Sequence, residues 1–144
     1  MKTLPASVPR RILTAILGLT AVTIGVAGVP AVSPEEAARL VSEGKALLVD
    51  VREPSEWAKS GVAAPAVLLS KSDFEGAKKE WDPCLESVGD MQVIVYCRSG
   101  RRSESVAAAL AKKGFNVANA GGFRAWKDAG LPTRPAGEPA ASQN

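Results

Sequence analysis

From Ser33 onward, short apolar runs alternate with stretches whose apolar residues recur at helical spacing. Ser33-Pro34-Glu35-Glu36 predicts a helix start, with Ser33 as cap, Pro34 in the first turn and Glu36 placed for a capping box. Ala37, Leu40 and Val41 supply its apolar face, and Gly44 ends it. The run Ala46 to Val51 predicts a buried strand, and Ala66 to Ser70 a second. Ser72 to Trp81 predicts a helix stopped by Asp82-Pro83. Met91 to Cys97, "MQVIVYC", is the clearest strand in the chain. Ser103 to Lys113 predicts an alanine-rich helix stopped by Gly114, and Phe115 to Ala120 another strand. Gly122 to Ala129 predicts a last helix, ended by Gly130-Leu131-Pro132. Residues 133–144, rich in Pro and Ala, are expected to be disordered. Strands that alternate with helices predict an α/β domain, a parallel sheet with helices on both faces. Ligands of such sheets bind at the carboxyl ends of strands, which is where Cys97 falls.

Ahead of this domain, Lys2, Arg10 and Arg11 precede an uncharged run, Ile12 to Gly28, that exits through Val29, Pro30 and Ala31. A positive start, an apolar middle and small residues at the exit predict a secretory signal cut after Ala31. An uncleaved anchor helix is the alternative, since a bilayer needs ~20 apolar residues. Either way the positive flank stays in the cytoplasm and the domain lies outside it, in the periplasm or another extracytoplasmic space.

Charge narrows the function classes. The net +3 comes from Lys2, Arg10 and Arg11; the rest of the chain holds 15 basic and 15 acidic residues. A nucleic-acid partner loses its main support. There is no histidine, which removes Ser–His and Cys–His pairs, and two cysteines cannot build a four-cysteine zinc site. No metal and no cofactor are expected.

What remains is Cys97 and the loop behind it: Arg98, Ser99, Gly100, Arg101, Arg102 and Ser103. A thiolate is the nucleophile, and a free thiol titrates near ~8.5. A helix beginning near Ser103 would turn its positive end and unpaired N–H groups toward the sulfur. The three arginines add full charges, and Gly100 lets the loop curl into an anion-binding nest. The expected substrate is an anion with an electrophilic centre. A buried, inert cysteine beside a solvated loop is the plainer reading.

Three segments, "YCRSGRRS", "LLVDVREPSEW" (Leu47 to Trp57) and "GGFRAWKDAGLP" (Gly121 to Pro132), resemble the rhodanese-like sulfurtransferases over about residues 33–132. The resemblance implies that Cys97 takes the outer sulfur of thiosulfate or a similar small anionic donor as a persulfide. A thiol, cyanide or a protein acceptor would then receive it. Residues Arg98 to Ser103 would bind the substrate. Asp50 and Arg52, which match that family's Asp-x-Arg pair, are assigned to structural support, with Arg52 and Glu56 spaced for an ion pair. Trp57 and Trp126 are expected to pack the core, and Gly121 and Gly122 to permit a tight entry to the last helix. In "GVAAPA" (Gly61 to Ala66), Val62 stands where many relatives have His, which puts the local turn in doubt.

Two other functions fit parts of this pattern. A cysteine-dependent phosphatase would need arginine at Cys-x5-Arg, but Ser103 holds that place, Arg102 falls one residue early and no carboxylic general acid is evident. A non-enzymatic sulfur carrier would share every residue named. Cys84 and Cys97 lack the CxxC spacing of a redox pair; Cys84 is expected in a loop as a small, partly buried side chain, with a disulfide left open. The export reading predicts that a C-terminal reporter active only outside the cytoplasm will be active, and that a cytoplasm-only reporter will be silent.

Overall fold

The computed structural model describes residues 28–141. The expected signal or anchor, over residues 1–27, and residues 142–144 lie outside the described residues. Among those described, no helix is long and apolar enough to cross a membrane.

Four parallel strands form the sheet: β1 (Ala46–Asp50), β3 (Val67–Leu68), β4 (Gln92–Cys97) and β5 (Val117–Gly122), in the order β3-β1-β4-β5. Side chains alternate across it as a strand's period of two requires. Val49, Val51, Val93, Val95, Cys97 and Val117 face one core, closed by α3 (Lys71–Glu75), α4 (Trp81–Ser87) and α5 (Arg101–Lys112). Ala46, Leu48, Ile94, Tyr96, Ala118 and Ala120 face the other, closed by α1 (Pro34–Ser42) and α6 (Phe123–Asp128). Helices therefore cover both faces, as the alternation predicts.

The strand order reverses between β1 and β4: the chain runs outward from β1 to β3, then crosses back to β4 and on to β5. The segments leaving β1 and β4 must therefore diverge and open a crevice at their carboxyl ends. Asp50 lies beside Tyr96 in register, so Arg52 and Arg98, each just past its strand, border that crevice.

Several elements depart from the expectation. The helix anticipated over Ser72 to Trp81 is two short ones. The chain breaks at Gly76, and Lys78 takes a left-handed φ of 54°. The Asp73 carboxylate then accepts from the N–H groups of Lys79 and Glu80, both at 2.9 Å, and so starts α4 at Trp81. Pro83 does not stop a helix; it sits in the first turn of α4, where no N–H is needed. Cys84 is therefore on a helix, half-buried against the α4–α5 core, and not in a loop. A further helix, α2 (Pro54–Ser60), lies between β1 and β2 (Val62–Ala63). It opens with Pro54 and a reciprocal cap between Glu53 and Glu56. Trp57 on α2 is only half-buried and belongs to neither core, contrary to its expected role. Trp126 is buried as expected, and its indole N–H donates to Pro132 O at 2.9 Å.

The tail also departs from expectation. Thr133–Arg134 forms β6, antiparallel to β2, and Ala141 N–H reaches Ala64 O at 3.0 Å. Composition argued for disorder, but Arg134 binds the preceding turn. Its guanidinium donates to Ala64 O at 2.9 Å, Ala66 O at 2.7 Å and Glu138 O at 2.5 Å. The same contacts account for the "GVAAPA" segment. Val62 is buried between strands, and the Tyr96 hydroxyl accepts the Ala63 N–H at 3.0 Å. No imidazole is required to hold the turn. Arg134→Ala should cost about 2 kcal/mol, as expected for a charged donor lost to part-buried carbonyls. Chemical denaturation should show a lower midpoint with an unchanged slope.

Candidate active site

Cys97 ends β4, and α5 starts at Arg101. The helix thus begins two residues earlier than the sequence suggested, and only Arg98, Ser99 and Gly100 make the turn. Gly100 takes φ 90°, a left-handed value that glycine adopts without a Cβ clash. This reversal brings its N–H back to the sulfur, with Gly100 N to Cys97 Sγ at 3.0 Å. The Ser103 hydroxyl approaches Sγ at 3.4 Å from the first turn of α5.

The turn can lie this low only because the next strand ends in glycine. A Cβ at Gly122 would stand 2.5 Å from Arg98 O, and one at Gly100 would stand 3.3 Å from Gly121 Cα. Gly122 thus makes room for the loop around Cys97 as well as capping α6, and Gly121 takes a left-handed φ of 80° just before it.

Cys97 is fully buried, and burial pushes its thiol up. The Ser103 hydroxyl and the N–H groups of Ser103, Ser99 and Gly100 outweigh that effect and hold it below the ordinary thiol value. Hydrogen-bond donors, rather than the arginines, lead the lowering. Cys84 has burial without such donors, and its thiol is pushed up. Both cysteines are free.

The arginines take separate roles. Arg98 and Arg101 are exposed. Arg102 is tied: its two terminal nitrogens donate to the two Glu56 carboxylate oxygens, each at 2.7 Å. This fork holds the Glu56 carboxyl down to about 2. The expected Arg52–Glu56 pair is absent. Glu56, third in α2, caps Glu53 and faces α5, while Arg52 folds back onto Asp50 with Nη2–Oδ2 at 2.6 Å. Both members of that pair are buried. Arg52 also donates to Ser60 Oγ and Gly61 O, each at 2.8 Å, and lies 4.3 Å from the centroid of the Phe123 ring. Asp50 and Arg52 thus join β1, α2 and α6, a supporting arrangement.

The sequence reading missed Asn119, in the middle of β5. Its carboxamide makes four hydrogen bonds. Oδ1 accepts from Ser103 Oγ at 2.8 Å and from Gly121 N at 3.0 Å; Nδ2 donates to Gly100 O at 3.1 Å and Glu104 Oε2 at 2.9 Å. A polar residue at an interior strand position, two before a Gly-Gly, was the available signal. The Ser103 hydroxyl has one proton and two acceptors, Cys97 Sγ and Asn119 Oδ1.

Beyond the loop the crevice widens to a cleft of ≈ 410 Å³ lined by Arg52, Glu56, Lys59, Ser60, Arg98, Phe123, Arg124 and Lys127. Among the described residues no cluster of His, Cys, Asp or Glu is placed to hold a metal.

A rhodanese-like domain matches residues 33–129. The chain belongs to the rhodanese-like family. It is 35% identical to a thiosulfate sulfurtransferase, GlpE, of Actinobacillus succinogenes over 107 residues, covering 73% of this chain and 90% of that one. Among solved structures it is similar to a polysulfide-sulfur transferase homodimer from Wolinella succinogenes, with TM-score 0.59, 27% identity and coverage of 74% and 78% of the two chains. It is also similar to a Rhodopseudomonas palustris protein of unknown function, described as a possible tyrosine phosphatase. That match has TM-score 0.63, 26% identity and coverage of 74% and 85%.

Ser103→Ala removes the leading donor that lowers the Cys97 thiol. The titration midpoint of this rhodanese-like protein's thiolate should therefore move up. Ultraviolet thiolate absorbance over a pH series, taken as the difference from Cys97→Ser, should show the shift; an unmoved midpoint would leave Ser103 without that role.

Proposed function

We propose that this chain is a sulfurtransferase that carries sulfane sulfur on Cys97. The observation that supports the reading best is the donor set around one sulfur: Gly100 N–H at 3.0 Å and Ser103 Oγ at 3.4 Å, at the end of β4 and beneath α5. The Cys97 thiolate attacks the outer sulfur of thiosulfate or a similar anion. A Cys97–sulfur bond forms, the donor's sulfur–sulfur bond breaks, and sulfite leaves with the electron pair. The outer sulfur projects ~2 Å past Sγ, the length of one sulfur–sulfur bond. Its negative charge is then met by the N–H groups of the turn. An acceptor thiolate or cyanide attacks that sulfur, and Cys97 departs as the thiolate it was. The closed turn over a buried cysteine requires Arg98 and Ser99, both exposed, to yield as the donor enters.

The phosphatase reading is weaker. A phosphoryl group needs an arginine fork over its oxygens, but Arg102 is already forked onto Glu56 and Ser103 is buried beside Asn119. The N-terminal pattern of Lys2, Arg10 and Arg11 ahead of an apolar run supports action outside the cytoplasm.

Cys97→Ser should abolish sulfite release from thiosulfate, whereas Cys84→Ser should retain activity within about twofold, since Cys84 is a half-buried packing residue. Intact mass after thiosulfate should gain one sulfur in the wild type and in Cys84→Ser only. Efficient hydrolysis of an aryl phosphate without any sulfur adduct would overturn the proposal.

A further inference from the structure

Asn119 is polar at a position that suits an apolar residue. It lies two residues on from Val117, so it faces α5 on the side of the sheet where Val93, Val95 and Val117 pack. Its strand is held on both edges there. Val95 of β4 pairs with it on one side; on the other, Asn119 N–H donates to Pro30 O at 2.9 Å and Val32 N–H to Asn119 O at 3.0 Å. The side chain therefore leaves from a fixed point. Its two lone pairs and two amide protons are all used, on Ser103 and Gly121 and on Gly100 and Glu104.

Those partners also decide which way the amide faces. Reversed, Nδ2 would meet the Gly121 N–H, and Oδ1 would meet Gly100 O and the Glu104 carboxylate. Oδ1 must therefore face Ser103. That serine is buried in the first turn of α5, and its hydroxyl leads the donors that offset burial at the Cys97 thiol. A helical serine can instead turn its hydroxyl back to a carbonyl three or four residues before it. Three before Ser103 is Gly100. Gly100 O already accepts from Glu104 N–H and from Asn119 Nδ2, each at 3.1 Å, which fills its two lone pairs. One end of the Asn119 amide thus closes a competing acceptor. The other end holds the Ser103 oxygen, 2.8 Å from Oδ1 and 3.4 Å from Cys97 Sγ.

We infer that Asn119 is a positioning residue of the site, which keeps the Ser103 hydroxyl at the Cys97 sulfur and off its own helix. While the sulfur is a neutral thiol, the Ser103 proton lies on Asn119 Oδ1, the nearer acceptor. When the sulfur becomes a thiolate the proton turns to it, and Oδ1 keeps the Gly121 N–H. The Ser103 oxygen serves both states from one place. The consequence for sulfur transfer rests on the sulfurtransferase reading, whereas the consequence for the thiolate does not.

The thiolate midpoint is read by ultraviolet absorbance over a pH series, as the difference from Cys97→Ser, in wild type, Asn119→Leu, Ser103→Ala and the double variant. Glu104 and Arg102 on α5, Glu56 on α2 and Arg98 in the turn stay in place throughout, so the variants change no charge. Leucine has the branching of asparagine and suits a core-facing position. Asn119→Ala carries the same comparison if the leucine variant loses the wild-type circular dichroism. Asn119→Leu should raise the midpoint by about one pH unit, the scale of one hydrogen bond to a charged group. The acid limb of kcat/KM for thiosulfate should move with it. In the double variant the two changes should not add, because Asn119 works through the hydroxyl that Ser103→Ala removes. An unmoved or lowered midpoint in the folded Asn119 variant would overturn the inference, as would shifts that sum in the double variant. If the wild type releases no sulfite from thiosulfate, the sulfurtransferase reading fails, and the titration still decides the role of Asn119.

Discussion

The site depends on the shortness of one turn. Between the last residue of β4 and the first of α5 there are only Arg98, Ser99 and Gly100. Here the strand becomes a helix over these few residues through a left-handed Gly100, at φ 90°, a value that glycine adopts readily. That reversal turns the Gly100 N–H back onto Cys97 Sγ and sets the first turn of α5 directly above it. The turn must also lie flat on the end of β5, which is why glycine stands at 122, while Gly121 takes a left-handed φ of 80°. The tuned thiol thus follows from backbone geometry. With no histidine in the chain, donors fixed by the fold do what a neighbouring base does elsewhere.

Charge has a different task. The arginines after Cys97 look alike in sequence, but the fold separates them. Arg102 joins α5 to α2 through Glu56, and Arg52 joins β1 to α2 and α6 through Asp50, Gly61 and Phe123. These pairs fix the walls of the crevice that the reversed strand order opens. Each fork is consumed in doing so and contributes little net field. The field in the cleft comes instead from unpaired side chains around it, Arg98 with Lys59 and Lys127. A closed turn that holds the sulfur and an open cationic crevice beside it can therefore vary independently, one through backbone conformation and the other through surface substitutions.

Local signals made the strands and most of the helices legible. Apolar runs of strand length marked β1 and β4, and the basic, glycine-containing stretch after Cys97 marked the loop. Pairing partners were not legible, because they depend on where elements meet. Arg52 and Glu56 are four residues apart and of opposite charge, yet a helix starting at Pro54 turns Glu56 toward Arg102, far along the chain. Arg134 lies in a segment whose composition reads as disorder, and one guanidinium reaching three carbonyls orders it. Asn119 was hidden for the same reason. Its four partners lie in the turn, in α5 and in its own strand, and no spacing rule links them.

Asn119 also ties the N-terminal segment to the site. Its backbone N–H donates to Pro30 O at 2.9 Å, its carbonyl accepts from Val32 N at 3.0 Å, and Ala31 pairs with it in parallel. Residues 30–32 thus extend the sheet at the β5 edge, at the residue whose side chain braces Ser103 and Gly100. A signal cut after Ala31 would remove Pro30 and its carbonyl, and would leave a charged amino group on Val32 beside that edge. A cut before Gly28, or none, would keep the pairing intact. The position of any such cut would therefore bear on the backbone register of Asn119, and through it on the donors that face Cys97.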